Sequence, residues 1–121
     1  ELILTMKTMS DDPLYCLEVA DHFPKEIKVI IPDHLISHAP QAPYFSTVQY
    51  RGGGYITIHK NVGSTIDFYN VQFYHQGSTT YDTYDTLFKK SNGWSTGTSV
   101  QEMINNGIPS KKIVVGKPAT Q

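Results

Sequence analysis

Hydrophobic and polar positions follow each other most regularly between Ile66 and His75, which read IDFYNVQFYH. Residues 67–74 are mostly aromatic, β-branched or amide, with no Pro, Gly or basic residue. Such a run favours a buried strand over a helix or a loop. Because successive side chains of a strand point to opposite faces, the segment has two distinct faces. One face carries Phe68, Asn70, Gln72 and Tyr74, and the other carries Tyr69, Val71 and Phe73.

The two faces of this strand differ in polarity. The face with Tyr69 is apolar, so we expect it to pack under helices. The opposite face becomes polar toward the C-terminal end, where Asn70, Gln72 and the Tyr74 hydroxyl follow one another. Polar groups in this place are typical of a barrel enzyme's substrate pocket. The alternative is a half-exposed antiparallel strand whose polar face lies in water.

The same patterns predict further strands. His34–Ala42 is typical of a strand that leaves its sheet at Pro40, and Lys112–Gly116 of a buried strand. Glu1–Met9 is a short amphipathic run that either ends a helix or forms a strand.

Four helices are predicted between these strands. The signal Ser10-Asp11-Asp12-Pro13 starts the first, which runs to about Phe23 and ends at Pro24. A second covers Tyr55–Val62 and a third Tyr81–Lys90. The fourth begins at Thr98 or Ser99, with Glu102 placed as in a capping box, and ends at Asn106-Gly107.

Strands that alternate with helices predict a parallel α/β sheet. The centres of the three clear strands, Ile36, Val71 and Val114, are 35 and 43 residues apart. A (β/α)8 barrel spends roughly 30 residues on each unit, so these spacings fit a barrel with modest loop insertions. A chain of 121 residues is too short for eight such units. We therefore predict an α/β fold that is a partial (β/α)8 TIM barrel, with parallel strands and flanking helices.

Composition excludes several classes of function. The net charge is −1 and the pI about 6.6, which gives no argument for a nucleic-acid or anionic-membrane partner. The sequence has no run of 18 apolar residues, and the single Cys16 permits no intrachain disulfide. The eight Tyr residues suit a surface that grips sugars or partners. The chain starts at Glu1 without Met, which we interpret as the start of an excised piece.

Three segments resemble glycoside hydrolase family 18, most closely the plant class III and microbial chitinases. They are HAPQAPYF (His38–Phe45), DFYNVQFYH (Asp67–His75) and KIVVGKPAT (Lys112–Thr120). In that family these segments form the fifth, sixth and seventh barrel strands, in this order. The resemblance covers about residues 33–120 and implies a single incomplete barrel segment over 1–121.

The resemblance also implies roles for individual residues. The family cleaves β-1,4 bonds between N-acetylglucosamine units, and the substrate's own N-acetyl oxygen attacks the anomeric carbon. Gln72 and Tyr74 match the catalytic residues that hold this N-acetyl group. Neutral donors where charge develops also agree with the position of both residues on the inward face. The substrate-binding positions that match the pocket are Asn70, Ala39, Gln41 and His75.

Three departures from the family bear on the mechanism. His75 stands where the nearest relatives have Asn. The acidic D-x-x-D-x-D-x-E signature of the fourth strand is absent, and with it the general acid, a group that contributes about 10²–10⁴-fold to rate. The eighth strand with its Trp is absent too. We therefore expect the chain alone to be inactive.

Other residues have patterns that bear on catalysis, metal binding or sugar binding. Asp82 and Asp85 share a possible helix face, but capping of a helix start explains them better. His34 and His38 on one strand are about 13 Å apart, too far to share a metal. Trp94 is either a sugar platform or a core or loop anchor. We expect no metal and no cofactor.

The sequence therefore predicts part of a chitinase-like hydrolase that acts on chitin or N-acetylglucosamine oligosaccharides. Its other expected partner is the rest of the barrel, from the same polypeptide or a neighbouring chain. Two alternatives stay open: a non-catalytic chitin-binding or structural module with the same fold, and an unrelated α/β domain complete at 121 residues. The resemblance places the protein outside the cell or in the secretory pathway.

Overall fold

The computed structural model describes residues 3–6 as backbone and residues 24–50 and 52–119 in full. The predicted first helix with its start signal, Cys16, and His22 lie outside these residues. The strands are β1 (Ile3–Met6), β2 (Leu35–His38), β3 (Phe68–Gln72) and β4 (Ile113–Gly116). The helices are α1 (residues 24–30), α2 (Gly54–Val62) and α3 (Val100–Asn105). Short 3₁₀ turns cover Ala42–Phe45, Gly93–Ser95 and Ser110–Lys112, and a π-helical turn covers Asp85–Lys89.

The four strands form one parallel sheet in the order β1-β2-β3-β4. Each strand is therefore hydrogen-bonded to the next in the chain, which is the arrangement of consecutive barrel strands. Ile36, Val71 and Val114 lie on adjacent parallel strands, as predicted, and the antiparallel alternative for β3 is wrong. The sequence indicated three clear strands. The fourth, β1, falls within the ambiguous segment Glu1–Met9.

The two faces of β3 are those that the alternation predicts. Tyr69, Val71 and Phe73 are buried in the main core, under α2 and α3. Their core partners from the rest of the chain include Ala42, Phe45, Tyr55, Ile58, Val62, Leu87, Met103 and Ile108. On the opposite face Asn70 is exposed and Val114 of β4 is 45% exposed. The helices thus cover one side of the sheet, and apolar surface remains open on the other.

Helix α2 confirms the prediction for Tyr55–Val62. Tyr55, Ile58 and Val62 are buried at a helical spacing and make the face that packs on the sheet. The N-cap of the helix is Gly53, whose φ of 86° is a left-handed conformation that favours glycine. It ends at Gly63, where an added Cβ would lie 2.4 Å from the His59 carbonyl oxygen. The capping box of α3 is also present, with Ser99 and Glu102 each bonded to the other's backbone N–H.

One helix was not predicted and another helix prediction is wrong. Residues 24–30 are helical, and proline is tolerated in the first turn of a helix. The helix predicted to end at Pro24 lies outside the described residues. The helix predicted at Tyr81–Lys90 is too long, because the structure has only the π-helical turn Asp85–Lys89 there. Tyr81 has a φ of 59°, outside the helical region. The Thr83 hydroxyl then accepts a hydrogen bond from the Thr86 N–H (3.1 Å), so the helical turn starts after Thr83.

Asp67 joins three elements at the N-terminal end of the sheet. One of its carboxylate oxygens accepts a hydrogen bond from the Ile36 N–H at 2.7 Å. The same oxygen lies 3.2 Å from Lys28 Nζ of α1. The backbone N–H of Asp67 donates to the Ile36 carbonyl at 2.8 Å. Asp67 therefore fixes the start of β3 against β2 and ties α1 to both.

Replacing Asp67 by Asn should lower the free energy of unfolding by about 1–2 kcal/mol, because the bond from the Ile36 N–H loses its charge assistance and the ion pair with Lys28 is lost. Urea unfolding of the protein that carries this chain measures the change. The matched control is Asp85→Asn, which breaks the exposed Asp85–Lys89 pair (2.7 Å) and should have little effect. Equal effects of the two substitutions would contradict the role of Asp67.

A second feature of the core is a buried histidine between two tyrosines. His38 Nδ1 and the Tyr55 hydroxyl share a hydrogen bond at 3.2 Å, and the His38 ring meets those of Tyr55 and Tyr69 edge-on. Its Nε2 is buried and has no hydrogen-bond partner within residues 24–50 and 52–119. Burial lowers the pKa of His38 from 6.5 to about 4. The imidazole is therefore neutral in the folded protein at physiological pH.

Below pH 6.5 the unfolded chain takes up a proton at His38 that the folded chain takes up only near pH 4. Stability should therefore fall as the pH drops through this window, by about 3 kcal/mol in total. His38→Gln should remove this part of the pH dependence. Urea midpoints of both proteins at pH 7.5 and 4.5 measure it. A loss between these pH values that is the same in both proteins would show that His38 is not responsible.

Candidate functional site

The candidate site lies at the C-terminal ends of β2, β3 and β4. Because parallel strands all end at the same edge of a sheet, residues that follow these strands are brought together there. Gln72 is the last residue of β3 and is paired in register with Gly116, the last residue of β4. Gln41, three residues after β2, forms a parallel bridge with Gln72.

Gln72 is attached to the end of β2 twice. Its backbone N–H donates to the Pro40 carbonyl at 2.8 Å. Its side-chain amide donates to the Ala39 carbonyl at 2.5 Å. An amide nitrogen carries two hydrogens, so this bond leaves one donor. Gln72 is only 7% exposed, and the two bonds fix its side chain at the junction of the strands.

Asn70 precedes Gln72 on the same face of β3 and is exposed. Its side-chain oxygen lies over Gly116, where an added Cβ would come within 3.2 Å of it and within 3.0 Å of the Val71 carbonyl oxygen. Gly116 therefore gives Asn70 room to lie across β4. The sequence analysis did not single out Gly116, although a glycine as the last residue of a buried strand marks a close approach of other atoms.

Tyr74 and His75 follow the end of β3. Tyr74 is half-buried and His75 exposed. Their rings meet edge-on with centroids 5.1 Å apart. His75 has a φ of 64°, in the left-handed region, which costs free energy for a residue other than glycine and is frequent at functional sites. The chain thus turns sharply just after Tyr74.

The structure brings five of the six predicted site residues into two contacting groups. Ala39, Gln41 and Gln72 form one group, and Tyr74 and His75 form a pair at the next two positions beyond Phe73. Asn70 stands two residues before Gln72 on the inward face, beside Gly116. The predicted residues therefore occupy one edge of the sheet.

Gln76 was not among the predicted site residues. It is 7% exposed, and neither its side-chain oxygen nor its side-chain nitrogen has a hydrogen-bond partner in the part of the chain that the structure describes. Its backbone carbonyl accepts a hydrogen bond from the Trp94 indole N–H at 3.1 Å. No local sequence pattern distinguishes this glutamine, because its surroundings come from a loop 18 residues away.

The remaining candidates lie elsewhere. Asp85 pairs with Lys89 on the helical turn, and Asp82 lies before this turn, 3.5 Å from the Thr86 hydroxyl. Both carboxylates are exposed. His38 faces the core on the opposite side of the sheet from Asn70. Across the part of the chain that the structure describes, no group of three or more His, Cys, Asp or Glu could hold a metal ion. Within that same part, no helix has the length and apolar content needed to cross a membrane.

Comparison with known proteins supports the fold. No protein-family profile matches the chain, and no curated protein matches it. Among solved structures, the chain is similar to a GH18 chitinase from Pseudoalteromonas aurantia, with 25% sequence identity and a TM-score of 0.70. The match covers 98% of this chain and 42% of that chain.

The resemblance to glycoside hydrolase family 18 is therefore confirmed in the structure. The chain has the fold of a segment of a (β/α)8 barrel of the chitinase type, and it spans less than half the length of the solved chitinase.

Replacing Gly116 by Ala should lower the free energy of unfolding by about 1 kcal/mol, because the new methyl group would lie 3.0 Å from the Val71 carbonyl oxygen and 3.2 Å from the Asn70 side-chain oxygen. Urea unfolding measures the loss. Val114→Ala is the matched control, since it alters the same face of β4 at a half-exposed position. A variant at Gly116 that is as stable as the control would show that the close approach is not needed.

Proposed function

We propose that this chain is part of a chitinase-like glycoside hydrolase and recognises β-1,4-linked N-acetylglucosamine at the ends of β2 and β3. The observation that supports the proposal is the agreement of two findings. The fold matches a chitinase barrel segment along 98% of the chain, and the residues that resemble the family's N-acetyl-binding pair occur at the C-terminal edge of the sheet. This edge is where barrel enzymes bind their substrates.

Gln72 and Tyr74 are suited to an uncharged, polar ligand group. Gln72 has one amide hydrogen left beside its bond to Ala39, and Tyr74 is half-buried with a hydroxyl that can donate. In the proposed reaction the acetamido oxygen attacks the anomeric carbon, the bond to the leaving oxygen breaks, and the positive charge spreads over a cyclic intermediate. The two side chains hold the acetamido group in place and stabilise that charge through neutral dipoles. Asn70, Ala39, Gln41 and His75 line the same edge.

Protonation of the leaving oxygen needs an acid, and we propose that it comes from outside the described residues. The proposed protein is therefore a barrel completed by further polypeptide, and this chain alone does not hydrolyse chitin. Such polypeptide would cover the half-exposed Val114 and the outer edges of β1 and β4, which pair with no further strand among the described residues. Chitin, an extracellular polymer, makes the outside of the cell or the secretory pathway the proposed location.

One specific observation favours a second candidate, a module that binds chitin without cleaving it. β1 pairs with β2 in register and is thus the neighbour of the strand that resembles the fifth barrel strand. In the family that this chain resembles, the acidic signature lies on the fourth strand, next to the fifth. At this position β1 reads Ile-Leu-Thr-Met and contains no carboxylate. This composition favours a module that binds chitin without cleaving it.

Incubation of the purified protein with N-acetylglucosamine tetramers and hexamers separates the two candidates. Calorimetry measures binding, and mass spectrometry of the products measures cleavage. Binding with cleavage supports the hydrolase, and binding without cleavage supports the non-catalytic module. Absence of both contradicts the proposed function altogether.

Tyr74→Phe retains the ring contact with His75 and removes one hydroxyl donor. We expect kcat on N-acetylglucosamine oligomers to fall by the equivalent of about 2–4 kcal/mol, with stability nearly unchanged. In a non-catalytic protein the same substitution should weaken oligomer binding instead. Tyr84→Phe is the control, because Tyr84 is 67% exposed and packs on Phe88, in the loop segment after β3. Full activity and affinity of the Tyr74 variant would remove this residue from the site.

A further inference from the structure

We infer that Trp94 forms an additional sugar-binding position beside Tyr74 and His75, which takes a further pyranose ring of the same chitin-type chain. This inference rests on the proposed function and extends it. Trp94 is the one tryptophan of the 121-residue sequence. It belongs to the 3₁₀ turn Gly93–Ser95, in the loop segment between β3 and α3.

The first argument is that Trp94 is held at the end of β3 and is still exposed. Its indole N–H donates to the Gln76 carbonyl at 3.1 Å, two residues after Tyr74. The side chain is nevertheless 51% exposed. A tryptophan that serves as a core anchor has most of its surface buried, so a core role does not account for this exposure.

The second argument is the rigidity of the turn that carries Trp94. The Ser95 hydroxyl donates to the Asn92 carbonyl (3.0 Å), and the Thr96 hydroxyl donates to the Gly93 carbonyl (2.7 Å). Ser95 and Thr98 are completely buried, and Thr98 contacts the buried Tyr81 hydroxyl. Because these bonds order the loop before any ligand arrives, little conformational entropy is lost when a sugar stacks on the indole.

The third argument is the buried side chain of Gln76, the residue whose backbone carbonyl holds the indole. Gln76 is buried to more than nine-tenths, and both polar atoms of its side chain lack a hydrogen-bond partner among the described residues. A buried amide in this state is costly unless water or a ligand pairs with it. An ordered water between this amide and a sugar hydroxyl would satisfy both groups. An exposed aromatic ring with hydrogen-bonding groups beside it is typical of a carbohydrate-binding site.

A pyranose ring is the occupant that fits this combination. Its axial C–H groups present an apolar face to an indole, while its hydroxyl and acetamido groups need neutral donors and acceptors. The neighbouring exposed side chain, His75, is polar and aromatic. Gln76 comes two residues after Tyr74, so the bond from the indole to its carbonyl brings Trp94 to the segment that follows the predicted site residues. The inferred oligosaccharide extends from that edge onto the indole.

Affinity for oligomers of increasing length tests the inference. In the protein that carries this chain, calorimetry with N-acetylglucosamine oligomers of two to six units should show a gain in affinity at the length that reaches Trp94. Trp94→Ala should abolish this gain and weaken binding of the long oligomers about tenfold, or about 1.4 kcal/mol. Binding of the shortest oligomer that binds at all should not change. Trp94→Phe, which keeps an aromatic face, should restore part of the gain.

Tyr84→Ala is the matched control, since it removes an exposed aromatic ring from the same loop segment without touching Gln76. It should leave the affinity of every oligomer unchanged. If Trp94→Ala binds long oligomers as well as the unchanged protein while Tyr74→Phe weakens them, the position at Trp94 is wrong and the proposed function stands. If the unchanged protein binds no oligomer, both are wrong. A uniform loss at all lengths would show a structural role for Trp94 and contradict the inference.

Discussion

The double attachment of Gln72 to the end of β2 is the interaction on which the candidate site depends. Parallel strands are held by hydrogen bonds only as far as the ladder extends, and the regular ladder between β2 and β3 is short, with His38 and Tyr69 as its last pair. Beyond it, Gln72 bonds to Pro40 through its backbone and to Ala39 through its side chain. These two bonds set where β3 ends relative to β2, and hence where Tyr74 and His75 begin.

The rest of the fold supports this junction from both ends. Asp67, the residue before β3, fixes the start of the strand against β2 and α1. The strand is therefore held just before its first residue and at its last. Between these points Tyr69, Val71 and Phe73 bury one face under the helices. Burial of this apolar face on rigid elements leaves the opposite face free to carry polar side chains, and it positions them better than a loop alone does.

The polar side chains at the C-terminal end of β3 are uncharged. Gln72, Tyr74 and Asn70 donate or accept hydrogen bonds without carrying charge, and no pair of carboxylates lies among them. This chemistry fits a ligand whose recognition features are acetamido groups, hydroxyls and apolar ring faces. It also explains why the question of hydrolysis is separate from that of binding, since cleavage requires an acid that these residues do not supply.

Much of the fold could be predicted from the sequence, because the responsible patterns are local. Alternation in residues 66–75 identified both faces of β3, and the Ser99–Glu102 spacing identified the start of α3. The failures come from tertiary context. The left-handed Tyr81 shortened a predicted helix, and its ring is buried against Phe73. Gln76 and Gly116 matter only because distant segments approach them, and no local pattern reports such contacts.

The central claim is that the ends of β2 and β3 recognise an N-acetylated β-1,4-linked sugar. It is tested most directly by calorimetric titration of the protein with two tetramers that differ only at carbon 2, N-acetylglucosamine tetramer and glucose tetramer with the same linkage. The account predicts binding of the acetylated tetramer at least about tenfold tighter, a difference of about 1.4 kcal/mol. Equal affinity for the two tetramers, or preference for the glucose tetramer, would contradict it.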